Sequence, residues 1–276
     1  KTASNAQIMF LVLNTSGLTL IPVSVMALRA AEGASTPTDV FLPILLATYF
    51  ATISGLIFVS IRQRINLFNK TMLLVLGGLT IFVLALVTWL TQMPDNFAEK
   101  FSVVSGNLIL FCVIVGFILL ALKRKVDVYQ TFIDGAKEGF NVGVKIIPYL
   151  VGMLISIAVF RASGTLDWII GGIEFLVSWF GFNTDFVGAL PTAVMKPLSG
   201  SGARAMMVET MSNYGSDSFQ GFLAGVFQGS TETTFYTIAV YYGAINVTRT
   251  RYTATAGLFA DFMGIVAAII IAYIFW

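Results

Sequence analysis

Three stretches of this chain leave little choice of solvent. Residues 41–61 (FLPILLATYFATISGLIFVSI), 71–91 (TMLLVLGGLTIFVLALVTWLT) and 103–122 (VVSGNLILFCVIVGFILLAL) are apolar almost without interruption. Each is about 20 residues long, enough for a helix to cross a hydrocarbon core of roughly 30 Å. The whole chain agrees, with 57% hydrophobic and 11% charged residues among 276, too little polar surface to cover a soluble domain. A membrane barrel would need short strands alternating apolar with polar residues instead. The sequence therefore predicts an all-α polytopic membrane protein whose first partner is the lipid bilayer.

The loops give orientation. Arg62, Arg64 and Lys70 share one loop, Lys123, Arg124 and Lys125 open another, and the 92–102 loop between them carries Asp95, Glu99 and Lys100. By the positive-inside rule the 62–70 and 123–145 loops are cytoplasmic and 92–102 faces out. Residues 126–145 place Val128, Phe132, Ile133, Ala136 and Phe140 at helical spacing, which predicts an amphipathic helix along the interface before the chain re-enters at Ile146. Segments 146–162 and 166–182 follow, and a last span runs through 252–276 with Trp276 as an interface anchor.

Elsewhere the apolar pattern is broken. Residues 6–30 have the length of a span but are interrupted by Asn14-Thr15-Ser16-Gly17 and Pro22, and 183–247 alternates short apolar pieces with PTAVMKPLSGSGAR, SNYGSDS and QGSTETT. Backbone freed at such breaks survives at membrane depth only inside protein or beside a water-filled cavity, so half-helices and re-entrant hairpins are expected. Counting these pieces gives about 8–10 transmembrane or re-entrant helices. Residues 3–30 can also be laid over 217–244, so that NTSGLTLIP falls on QGSTETTFY. Interrupted helices at corresponding positions of a repeat, commonly an inverted one, point to a central binding site in secondary transporters. The repeat divides the chain into 1–62, the connecting helices 63–125, and 126–276.

The inventory of chemistry narrows the function. The chain has no histidine, a single cysteine at Cys112 and a net charge of +2, so no metal, cofactor or nucleic acid is expected. No nucleophile has a histidine base and no phosphate-binding GxxxxGK[ST] loop occurs, so the chain does not read as an enzyme.

The polar breaks hold the candidate solute-binding residues. In KPLSGSGAR, Ser199 and Ser201 suit a helix N-cap, Gly200 and Gly202 allow close approach, and Lys196 and Arg204 add positive charge. The competing reading has both cations snorkelling to headgroups or neutralising Glu209. QGSTETT contributes Gln228, Ser230, Thr231, Glu232, Thr233 and Thr234. A carboxylate within a membrane bundle costs roughly 2.5–3.5 kcal/mol on insertion scales, so Glu232 is either functional or paired with Lys196 or Arg204. Asp261, in the otherwise apolar last span, is a second candidate for carrying a proton or coupling cation, with Arg249 or Arg251 as distant partners. Asn14, Thr15, Ser16 and Thr19 form the uncharged counterpart in the first copy, where hydroxyls often bond back to their own helix.

The stretches NTSGLTLIP, PLSGSGAR, DSFQGFLAGVFQGSTETTFYTIAVYYGA and TRYTATAGLFADFMGI resemble the bacterial spore maturation protein A and B family, joined in one chain. Residues 1–90 are similar to the last part of the A protein and 126–276 to the B protein. Both belong to the nucleoside-recognition, or Gate, group, which implies a Gate region over 139–245, a nucleoside-like solute and a bacterial cytoplasmic (inner) membrane. It also implies an earlier Gate region upstream of Lys1, which would supply the other half of any central site. Two functions fit these observations: a secondary carrier or permease for a small polar solute, or a non-transporting factor for spore or envelope maturation. Association into a homo-oligomer stays open.

Overall fold

The computed structural model describes residues 1–19, 22–90, 104, 108, 111–112, 114–181 and 183–276. Ser4 opens the first helix with a capping box, its Oγ accepting from Gln7 N while Gln7 Oε1 accepts from Ser4 N. That helix, α1 (Asn5–Thr15), stops at the predicted polar break, and α2 (Val23–Ala31) resumes after Pro22. There follow α3 (Phe41–Gln63), α4 (Lys70–Leu90), α5 (Ile114–Lys123), α6 (Val128–Ala162) and α7 (Thr165–Trp179). A 3-10 turn (Asp185–Ala189) leads into the short α8 (Leu190–Met195), then α9 (Gly200–Tyr214), α10 (Phe219–Ser230), α11 (Thr234–Ala244) and α12 (Thr253–Phe275). Helices α3, α4 and α12 are long and apolar enough to cross a membrane. The 92–102 loop and part of the 103–122 span, including Asn107, lie outside the described residues.

One expectation is corrected. Residues 126–145 do not form a separate interfacial helix, because α6 runs unbroken from Val128 to Ala162 with Pro148 inside it. Asp127 starts it by accepting from Gln130 N, and Asp134 takes bonds from Gln130 and Lys137. No glycine or proline pair separates the polar first half from the apolar second half, and proline deletes just one backbone donor. The helix therefore continues.

The repeat is built into the packing. Helices α1, α2 and α3 correspond in order and length to α10, α11 and α12, and Ser218 caps α10 through Gly221 N as Ser4 caps α1 through Gln7 N. The two long helices α3 and α12 cross through small residues. A methyl group added at Gly55 would sit 3.1 Å from Ala260 Cβ, and one added at Gly264 would sit 3.1 Å from Ala51 Cβ. Stepping forward from 51 to 55 along α3 means stepping back from 264 to 260 along α12, so the repeats run antiparallel. One end of the crossing buries Met26, Phe41 and Ile44 with Leu223, Phe227 and Ile271. The other buries Ile8, Leu11 and Val59 with Ile238, Tyr242 and Ala256.

A buried arginine ties the first end together. Arg29, fully buried in α2, donates through Nη1 to the carbonyls of Ser216 and Gly221 and pairs through Nη2 with Asp39 Oδ2 at 2.9 Å. Asp217 in turn accepts from Ser35 N at 2.9 Å. Burial raises the Asp39 carboxyl to about 6, with the guanidinium opposing part of the rise.

The turn beside it is sterically closed at Gly221, where an added Cβ would overlap the carbonyl oxygen of Gly215. A backbone atom cannot swing aside as a side chain can. Gly221→Ala is expected to cost about 1–3 kcal/mol through overpacking, read as a lower melting temperature. Gly78→Ala is the control, since nothing among the described residues lies within 4 Å of its Cβ position.

Candidate functional site at the crossed helix breaks

The two polar breaks cross each other and complete each other's hydrogen bonding. At the end of α1, the Thr15 carbonyl accepts from Glu232 N at 2.9 Å, and at the end of α10 the Gly229 carbonyl accepts from Thr19 Oγ1 at 3.2 Å. Helix C-termini leave carbonyls without intrahelical partners, and here each repeat supplies the partner for the other. The long helices brace the arrangement. Thr48 Oγ1 accepts from Thr19 N, Thr52 Oγ1 donates to Ser16 O, and Asp261 Oδ2 accepts from Thr234 Oγ1 at 2.6 Å.

The KPLSGSGAR turn docks against this crossing. Ser199 caps α9 by accepting from Gly202 N at 3.0 Å and lies 3.2 Å from Ser201 Oγ. The Pro197 carbonyl accepts from Phe235 N in the first turn of α11, and the Gly200 carbonyl accepts from Gln228 Nε2 at 3.4 Å. An added methyl at Gly200 would lie 2.9 Å from Thr233 Oγ1. Only glycine lets the start of α9 approach α11 this closely.

Between these walls lies a cavity of about 350 Å³ lined by Thr19, Lys196, Gly200, Arg204, Gln228, Thr231, Glu232 and Thr233, with Pro22, Ser24 and Val25 from the first repeat. Thr19 and Glu232 also line a neighbouring cavity of about 520 Å³, together with Asn14, Thr237 and Tyr241. The structure thus brings together residues from both copies of the repeat and from the SGSG turn. Other candidates do not present free polar groups there. Thr15 and Ser16 both bond back to the Val12 carbonyl and Ser230 to that of Phe227. Ser199 and Gly202 are engaged in the cap, Ser201 is exposed, and Thr234 and Asp261 are bonded to each other.

The ion pairs weighed from sequence do not form. Among the described residues, the pairs within 4.0 Å are Arg29 with Asp39 and Lys137 with Asp134, so neither Glu232 nor Asp261 has a basic partner at that distance. Arg251 instead bonds to Ala3 O and Asn5 Oδ1. Asp261 is 1% exposed, and its Oδ1 has no partner among the described residues. Lys196 is 7% exposed and its side chain makes no hydrogen bond or ion pair among them, while Arg204 and Glu232 are exposed.

Sequence reasoning passed over Thr48 and Thr52, which hold the first break. Their signal was their position on the face of α3 where small residues pack. It also passed over a wider hollow of about 730 Å³ between α7 and α9, whose walls carry Asp167, Glu174, Asp185 and Glu209.

Crossed broken helices around a polar cavity, set between antiparallel apolar helices, are the architecture of a polytopic membrane protein. The sequence profile of the Gate family, described as nucleoside recognition, matches residues 143–248. Spore maturation protein B of Bacillus subtilis (strain 168) is 43% identical over 159 residues, covering 58% of this chain and 88% of that protein. The chain belongs to the spore maturation protein A/B-like family. Spore maturation protein A of the same organism is 47% identical over 55 residues, which is 20% of this chain and 28% of that protein. No solved structure matches the chain.

Proposed function

We propose that the protein is a secondary carrier or permease that binds a small polar solute where the two breaks cross. The observation that carries this reading is the cavity itself, with Thr19 from the first repeat facing Lys196, Gln228 and Glu232 from the second. A plain scaffold has little reason to interrupt two helices at corresponding positions and to surround the interruption with unpaired polar groups. The Gate match and the relatives' family make a nucleoside-like solute the first class to try. Asp261, behind the cavity wall, would carry the coupling proton or cation. The membrane would be the bacterial cytoplasmic one, with residues 62–70 and 123–145, the latter including the polar first half of α6, inside. No catalytic step is assigned to the site.

The test is uptake of labelled nucleosides and nucleobases into proteoliposomes. Glu232→Gln is expected to reduce uptake by at least about tenfold, the scale of losing one charge-assisted hydrogen bond. Uptake unchanged in the variant would remove Glu232 from the site. The name shared by the relatives, spore maturation protein, favours a second reading as a non-transporting maturation factor. In that case Ser201→Cys and Thr233→Cys in a Cys112→Ser background would react equally with and without every solute tried.

A further inference from the structure

The cavity walls differ in chemistry, and the difference concerns what the solute must carry. This inference rests on the carrier reading and refines it. On one side, Lys196 is buried to 7% exposure and unpartnered among the described residues, with Arg204 at the rim. Between them α9 begins, a helix of 15 residues whose Gly200 and Ser201 amides make no hydrogen bond among those residues. A helix N-terminus concentrates positive partial charge and free N–H donors. On the other side, Glu232 is the one carboxylate among the lining residues, and Gln228, 6% exposed, points a buried Oε1 that has no partner among the described residues.

Two full positive charges and one negative line the cavity, and the Asp261 carboxyl behind the wall is a further acidic group acting on Lys196 from a distance. A buried ammonium group with no carboxylate in contact is costly, and here the helix end adds to the same sign of potential. The opposite wall holds acceptors. We propose that Lys196, Arg204 and the first amides of α9 form a site for an anionic group, carboxylate or phosphate, on a solute whose far end donates hydrogen bonds to Gln228 Oε1 and Glu232. A neutral nucleoside satisfies the acceptor wall but leaves Lys196 unpaired, whereas an acid of similar size satisfies both walls.

The experiment uses the purified full chain in nanodiscs, with inorganic phosphate and acetate as probes, each exchanged for chloride at constant ionic strength. Melting temperature and tryptophan quenching give apparent dissociation constants. The expected result is saturable stabilisation by at least one probe, the stronger probe identifying the anionic group. Lys196→Met should weaken it roughly tenfold, as expected for a lost charge-assisted hydrogen bond. Arg204→Gln, on the exposed rim, should weaken it less, and Glu232→Gln should tighten it. That opposite sign cannot come from general damage to the fold.

No saturable response in the wild type would overturn the inference, as would equal responses in wild type and Lys196→Met. If phosphatidylglycerol nanodiscs stabilise the chain through Lys196 and abolish the probe's effect, a lipid headgroup holds the site and the assignment to a soluble solute falls. Uptake of neutral nucleosides with no anion response would overturn this inference and leave the carrier reading standing. Anion binding with no flux in proteoliposomes would do the reverse.

Discussion

Arg29→Met is expected to destabilise the protein by about 3–5 kcal/mol, the usual result of removing one partner from a buried ion pair. The guanidinium is fully buried and serves three acceptors at once, the carbonyls of Ser216 and Gly221 and the carboxylate of Asp39. Methionine fills the stem's volume but donates nothing, so each of these oxygens loses the guanidinium as a donor. The effect is structural and local to the end of the repeat crossing where α2 meets α10. Asp39→Asn should be much milder, about 1 kcal/mol, because an amide oxygen can still accept from Arg29. A denaturation series on the two variants checks the order. Similar losses for both would mean that the ion pair, and not the carbonyl clamp, holds this corner.

The second large effect concerns energy coupling. A solute whose movement carries one elementary charge through 100 mV gains about 2.3 kcal/mol, or roughly fiftyfold accumulation. If Asp261 carries that charge, Asp261→Asn should reduce gradient-driven accumulation in proteoliposomes to equilibration while leaving solute exchange intact. The geometry motivates the choice of residue. Asp261 is buried in α12 at the crossing, holds Thr234 of the second break by one oxygen and leaves the other without a partner among the described residues. Full accumulation in the variant would exclude it as the coupling group. Thr234→Val gives a companion measurement, because it removes the hydrogen bond and keeps the carboxylate.

Much of this arrangement was legible in the chain. The breaks announced themselves because Asn14 to Gly17 and Gln228 to Thr234 interrupt apolar runs at matching distances from their starts, and a serine precedes each run. The antiparallel crossing was less visible, since Gly55 and Gly264 look like any small residues in a span until their opposite neighbours are known. Lys196 and Arg204 read alike in sequence and differ in the fold. The first closes the end of α8 and is buried, while the second sits one turn into α9 and faces out. Hydroxyl roles were equally hidden. Whether Thr15 bonds back to its own helix or Thr19 reaches across to Gly229 depends on the other repeat, which no local pattern encodes. The α6 error had the opposite source, an amphipathic pattern that correctly described one half of a helix and wrongly suggested that the helix ended there.

The exchange of hydrogen bonds between the breaks also limits how the molecule can move. Pulling the repeats apart at Thr15 and Gly229 would take from two helix-end carbonyls the donors that the opposite repeat supplies, about 0.5–1.5 kcal/mol net for each bond. Turning one repeat against the other about that point strands neither. In the proposed carrier the crossing would work as a fulcrum, with the two ends of the bundle opening and closing in opposition while the solute site beside the pivot moves least.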